Sequence, residues 1–192
     1  MEKLTGLNKL KTAVFISGTG SNLKNLIKFS KIKKTPISIN LIISNVNNAK
    51  GLKYADQFNI KKKIFNFRNM KNIEKKILIL LKKNKISFIC LAGFMKILSK
   101  NFIKKFDGKI INIHPSLLPK YKGLNTHRRV ITNKDKFSGC TVHYVNEKLD
   151  SGTIIMQKKI KVAAKDDALS LAKKVLKQEH KLYPAAIMKI FN

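Results

Sequence analysis

Two periodicities alternate along the chain and set the order of its elements. Residues 12–17 (TAVFIS), 37–44 (ISINLIIS) and 86–92 (ISFICLA) are short apolar runs of the kind buried on both faces of a sheet. Residues 63–67 add a more polar strand-like piece. Between these runs the spacing becomes helical. Leu23, Leu26 and Ile27 follow the first run, residues 51–58 form a short helix after a polar turn, and residues 69–85 carry Ile73, Ile77, Leu80 and Leu81 as a core stripe. Such alternation predicts an α/β fold, a mainly parallel twisted sheet with helices on both faces. The later chain changes character. Residues 138–145 and 153–162 read as strands of an antiparallel hairpin, and residues 166–190 as a long closing helix. Asp166 or Asp167 stands near its start, Leu169, Ala172, Val175 and Leu176 form its stripe, and Pro184 is expected to kink or split it. No repeat, linker or low-complexity tract interrupts the pattern, so residues 1–192 read as one domain.

Composition adds bounds. The chain has 192 residues, 44% of them hydrophobic, enough to bury a core without staples. The first eleven residues hold no apolar signal core, and no apolar run approaches the ~20 residues that span a bilayer, which points to a soluble, cytoplasmic protein without a membrane partner. Cys90 and Cys140 sit in strand-like runs without metal-ligand spacing and read as buried free thiols. The formal charge of +31 comes from 41 basic residues, of which only Arg68, Arg128 and Arg129 are arginine. Phosphate-gripping surfaces favour the planar guanidinium, and these lysines scatter over every segment. Nucleic acid is therefore not the expected partner, although the field should draw small anions.

Candidate chemistry collects after the strands. Residues 109–129 (KIINIHPSLLPKYKGLNTHRR) open as a strand in which Asn112 and His114, two apart, share a face at its C-terminal end. Pro115 and Pro119 then fix the path of a shaped loop. Asp150 lies in a second strand-end loop, 146–152, and a carboxylate near an imidazole raises its pKa and fixes its tautomer. The first strand runs into Gly18, Thr19, Gly20, Ser21 and Asn22 ahead of a helix. That turn is either an anion site at a helix start or a plain tight turn capped by Ser21 or Asn22. It lacks the third glycine of a dinucleotide fingerprint and the lysine of a P-loop, so a monophosphate suits it better than NAD or ATP. Ligands of parallel sheets sit beyond the strands' carboxyl ends, and all four strand-end loops, 18–22, 93–98, 112–119 and 146–152, are expected at one rim.

Four ordered motifs, Gly18 to Asn22 (GTGSN), Leu91 to Met95 (LAGFM), Asn112 to Pro119 (NIHPSLLP) and Leu149 to Gly152 (LDSG), together resemble the glycinamide ribonucleotide formyltransferases, folate-dependent enzymes of purine synthesis. The resemblance covers nearly the whole chain. It implies a Rossmann-like formyltransferase fold, 10-formyltetrahydrofolate as co-substrate, glycinamide ribonucleotide as acceptor, no metal, and a monomer or homodimer. It implies Asn112, His114 and Asp150 as the catalytic trio and Gly20, Ser21 and Asn22 as the phosphate anchor. Met95, Lys96, Ile97 and Leu98, with Asn112, Asn146, Glu147, Lys148, Leu149 and Asp150, would line the folate site. Glu179 would contact the acceptor, against the alternative of a solvated helix face. His127 and His143 read as structural hydrogen-bonding groups. Lys96, Thr19 and Asn125 depart from the family pattern, which bears on folate packing and leaves the trio intact.

Related activities use the same domain. Methionyl-tRNA formylation would call for a further C-terminal domain, and formyltetrahydrofolate hydrolysis for an N-terminal regulatory one; neither is expected from a chain of this extent. A basic nucleic-acid-binding module without catalysis would call for clustered arginines and exposed aromatic residues.

Overall fold

The structure, a computed structural model, describes residues 9–66 and 70–191. Phe67 and Asn69, ends of the expected third strand and third long helix, lie outside the described residues, as do the first eight positions. Contacts divide the chain into two units, the first running to Ile110 and taking in Phe191, the second spanning 111–190.

In the first unit the strand that reads as fully buried is central. β1 (Leu10–Ile16) pairs in parallel with β2 (Ile37–Ser44) and with β4 (Phe88–Leu91), and β2 pairs in parallel with β3 (Lys61–Ile64). Ala13, Val14, Phe15 and Ile16 are all fully buried, and each large apolar side chain so placed contributes about 1.5–3 kcal/mol. The helices of this unit are α1 (Ser21–Ser30), α2 (Lys53–Gln57), α3 (Met70–Lys83) and α4 (Lys100–Lys105), with a 3-10 turn at Lys50–Leu52.

The second unit is an antiparallel meander. β5 (Lys109–His114) pairs with β6 (Phe137–Tyr144), and β6 with β7 (Ile154–Lys161), as the hairpin reading anticipates. α5 (Thr126–Thr132) lies between β5 and β6, and α6 (Ala168–Phe191) closes the chain. The unit boundary falls inside β5, and the strand pairs are parallel throughout the first unit and antiparallel throughout the second.

Four details depart from the sequence reading. α4 and α5, of six and seven residues, are too short to show a helical apolar period. α6 continues through Pro184, whose missing N–H removes only the bond toward the His180 carbonyl while neighbouring turns hold the helix. Its buried stripe is Leu171, Val175, Glu179, Leu182 and Ala186, whereas Leu169 is 65% exposed. In α3 the buried positions are Glu74, Ile77 and Leu81, so both long helices place a glutamate on the core face.

One backbone contact shapes the glycine turn. Gly20 has φ +74°, and a Cβ there would stand 2.6 Å from Gly51 Cα, while a Cβ on Gly51 would stand 2.9 Å from Gly20 Cα. The Gly51 N–H donates to the Gly18 carbonyl at 2.9 Å. Only glycine allows so close an approach. Gly51→Ala is expected to lower the unfolding free energy by about 1–3 kcal/mol through forced backbone displacement. Urea denaturation measures this, and an unchanged midpoint would contradict the contact.

Candidate active site

In the second unit, strand pairing brings together what lies 31 residues apart. Asn112 faces His143 across β5 and β6, and His114 faces Thr141. The Asn112 amide donates to His143 Nε2 at 3.3 Å, while His143 Nδ1 donates to the Tyr144 carbonyl at 2.8 Å. That pattern belongs to the neutral Nδ1–H ring, with Nε2 as acceptor. Burial, the largest influence, pushes the His143 pKa down, which agrees with it. Asp150 Oδ1, 3.7 Å from His143 Nε2, therefore makes no proton-sharing contact there. His143 orients the Asn112 amide, a role set by the β5–β6 register, which no short turn announces in the sequence.

Asp150 meets His114 directly. Its Oδ2 lies 3.3 Å from His114 Nδ1, both side chains are 7% exposed, and the same oxygen accepts the Gly123 N–H at 2.8 Å. Asp150 holds φ +45° and Gly123 φ +75°, so both loops turn through the left-handed region to bring the carboxylate to the amide. His114 Nε2 donates to the Tyr121 carbonyl at 2.8 Å. Both ring nitrogens thus face oxygen, an arrangement that a doubly protonated ring satisfies on both sides and a neutral ring on one only.

The loop that supplies Tyr121 and Gly123 is pinned from β6 and β7. Thr141 donates to the Ser116 carbonyl at 2.7 Å and accepts the Leu118 N–H at 3.1 Å, and Gln157 donates to the Leu118 carbonyl at 2.8 Å. Ser116 donates to the Lys120 carbonyl at 2.6 Å. Leu149 is half exposed beside Gly123, and Asn146 closes its own loop by accepting the Lys148 N–H and donating to the Ser151 carbonyl. Glu147 and Lys148 are exposed on that loop. An open cleft of about 400 Å³ beside α5, lined in part by Tyr121, Asn125, Arg128 and Arg129, contains none of the trio.

Three further groups of this unit are buried. Glu179 is 7% exposed, which excludes the solvated-face alternative. Burial of Cys140 and, to a smaller extent, the nearby Glu179 charge push the Cys140 thiol up to about 12, so Cys140 is an inert thiol, and both cysteines are buried thiols outside any disulfide. His127 Nδ1 is buried without a hydrogen-bond partner among the described residues, and burial, helped by His114, pushes its pKa down.

The first unit joins the other two strand-end loops. The Ser17 N–H donates to the Gly93 carbonyl at 3.0 Å, and the Met95 N–H donates to Ser17 Oγ at 2.7 Å. Phe94 and Leu98 are buried; Met95, Lys96 and Ile97 between them are exposed. α1 begins at Ser21 with Gly20 as its N-cap and no side-chain cap. The alternative in which Ser21 or Asn22 caps the helix is therefore excluded. Gly20, in the left-handed region, cannot offer a side-chain oxygen, so the first-turn N–H groups keep an anion-binding direction. Among the described residues no group of three or more His, Cys, Asp or Glu side chains is placed to hold a metal. No helix among them is long and apolar enough to cross a membrane.

Residues 10–187 match the Formyl transferase family, and the chain belongs to it, in the phosphoribosylglycinamide formyltransferase branch. It is 42% identical over 180 residues to the phosphoribosylglycinamide formyltransferase of Haemophilus influenzae, covering 92% of this chain and 85% of that one. The crystal structure of phosphoribosylglycinamide formyltransferase from Brucella melitensis superposes with a TM-score of 0.90 at 41% identity, over 96% of both chains. Against the trifunctional purine biosynthetic protein adenosine-3 of Homo sapiens the identity is 41% over 93% of this chain, which spans only 18% of that relative's length.

The lowered histidines give a pH test. A folded-state pKa below the unfolded one means that the unfolded chain binds more protons between the two values, so stability rises with pH there. The contribution of His127 and His143 is complete above about pH 6.5 and is lost as pH falls below it. Denaturant titrations at pH 7, 6 and 5 should show His143→Gln with a shallower acid-side decline than the parent, the difference bounded by about 1.4 kcal/mol per pH unit. Equal slopes would place a charged His143 in the folded protein.

Proposed function

We propose that this chain transfers the formyl group of 10-formyltetrahydrofolate to the primary amine of glycinamide ribonucleotide, a cytoplasmic step of purine synthesis. The observation that carries the reading is the buried His114–Asp150 contact at 3.3 Å, on the strand that also presents Asn112. Family membership supports the reaction, and the relatives that this chain matches over most of their own length are phosphoribosylglycinamide formyltransferases.

The acceptor nitrogen attacks the formyl carbon, and the carbonyl oxygen takes up negative charge. Asn112 N–H and His114 N–H donate to that oxygen, which is worth most in a site closed to water. The carbon–N10 bond of the folate then breaks, and the proton given up by the attacking amine ends on N10, so charge and protons balance. To reach the substrate, His114 Nε2–H exchanges the Tyr121 carbonyl for the formyl oxygen. Asp150 holds the ring in place through its contact with Nδ1. The N–H groups of Gly20, Ser21 and Asn22 take the acceptor's phosphate, assisted by the positive end of α1. Glu179 contacts the acceptor, and Met95 to Leu98 with the 146–150 loop line the donor site. The whole chain acts as one catalytic domain.

Absorbance during conversion of 10-formyltetrahydrofolate, with and without glycinamide ribonucleotide, tests the reaction. Turnover only with the acceptor is expected; formate release without it would instead mark a hydrolase. Asp150→Asn should lower kcat by about 10²–10⁴-fold with an unchanged circular dichroism spectrum. Full activity would remove Asp150 from the mechanism. Ser21→Pro keeps a backbone angle suited to the first helical position while deleting one N–H. It should raise the acceptor KM about tenfold or more and leave the donor KM unchanged, and equal effects on both would locate the phosphate elsewhere.

A further inference from the structure

We infer that Glu74 is a positioning residue for the formyl donor, fixing through Ser99 the exposed segment Met95, Lys96 and Ile97. The inference rests on the proposed formyl transfer for its ligand, and on the geometry of the first unit for the clamp itself.

Glu74 is 3% exposed on the core stripe of α3, a place where an ionised carboxylate is retained only if its oxygens are hydrogen-bonded. Both oxygens are used by one residue. Oε1 accepts the Ser99 N–H at 2.8 Å, and Oε2 accepts the Ser99 hydroxyl. Ser99 Oγ meanwhile accepts the Phe102 N–H at 3.1 Å and caps α4. A serine alone satisfies that cap. The buried carboxylate is surplus to capping, and its two-point hold fixes where Ser99 sits and which way it faces.

The other end of the segment is held independently. Ser17 takes the Met95 N–H and gives its own N–H to Gly93, and Ser17 Oγ donates to Asn45. Phe94 packs edge-on against Phe15, with ring centroids 5.3 Å apart, and Leu98 is buried. Between these anchors Met95 and Ile97 stand 59% and 60% exposed. Two large apolar side chains kept in water on a segment tied at both ends form a preformed wall for a flat apolar ligand group, and holding such a wall in its bound shape raises affinity by removing the ordering cost.

Steady-state kinetics of Glu74→Ala, Glu74→Gln and Ser99→Ala, each varying donor and acceptor separately, test this. Glu74→Ala should raise the KM for 10-formyltetrahydrofolate about tenfold while the KM for glycinamide ribonucleotide stays within about twofold. Glu74→Gln, whose amide can accept the Ser99 N–H and donate to Ser99 Oγ, should recover most of the loss. A residue needed only for folding would lower stability without separating the two constants, and that outcome overturns the proposal. Should Glu74→Ala fail to fold, Ser99→Ala, which keeps the N–H bond and loses the hydroxyl bond, should show the same separation at smaller size; its absence there is equally fatal. If the parent protein shows no acceptor-dependent turnover, the reading of the reaction fails instead. Amide hydrogen exchange then decides the clamp alone: exchange at Ser99 and Phe102 should quicken about tenfold in Glu74→Ala, and unchanged protection overturns it.

Discussion

A carboxylate that is 7% exposed has to be met by donors, and Asp150 imposes this on the second unit. Its Oδ2 receives a backbone amide from Gly123 and faces the Nδ1 of His114, so the loop after β5 and the loop after β6 are tied through one atom. The remaining local geometry answers to that tie. Tyr121, Gly123 and Asp150 all adopt positive φ, and the carbonyl of Tyr121 reaches the far nitrogen of the same imidazole. Removing the carboxylate would leave His114 held on one side only and the Gly123 amide without its acceptor. The buried pair is thus weak evidence for stability and stronger evidence for a defined ring orientation.

The strand architecture was legible because buried strands announce themselves by composition. The 12–17 run overlaps β1, which begins two residues earlier, the 86–92 run contains β4, and the hairpin of β6 and β7 is the expected one within a residue at each end. Asn112, His114 and Asp150 were legible as strand-end residues, and the fold brings them together. Apolar periodicity misled where a helix stripe contains a carboxylate. Reading only apolar positions in α6 finds Val175 but sets Leu169, Ala172 and Leu176 beside it, and misses Leu171 and Glu179. In α3 it passes over Glu74 for the same reason. A gap in an otherwise regular stripe, filled by an acid, is a signal that such an acid is paired inside the protein.

The glycine turn shows the opposite limit. Its role as a strand-to-helix turn was legible, but the reason for a glycine at position 20 was not, because the partner is Gly51, some thirty positions later. Close backbone approach between distant segments leaves no local trace beyond the glycines themselves. The N-cap is likewise set by that approach: Gly20 takes the left-handed conformation needed to pass Gly51, and Ser21 becomes the first helical residue.

The lysine excess acquires a structural place. Lys61, Lys62 and Lys63 lie exposed along β3, at the edge of the first unit's strands, and Lys158, Lys159 and Lys161 along β7, at the edge of the second unit's. Charged side chains on outer strands oppose pairing with another chain, which explains three exposed lysines on each better than a nucleic-acid footprint does. Arg128 and Arg129 sit apart from both runs, in α5, and Arg129 is spent on the Lys122 carbonyl and the Tyr121 ring. Lysines placed this way would still draw small anions, and since that attraction is screened within ~10 Å at 0.1 M salt, it would act on the rate of encounter alone.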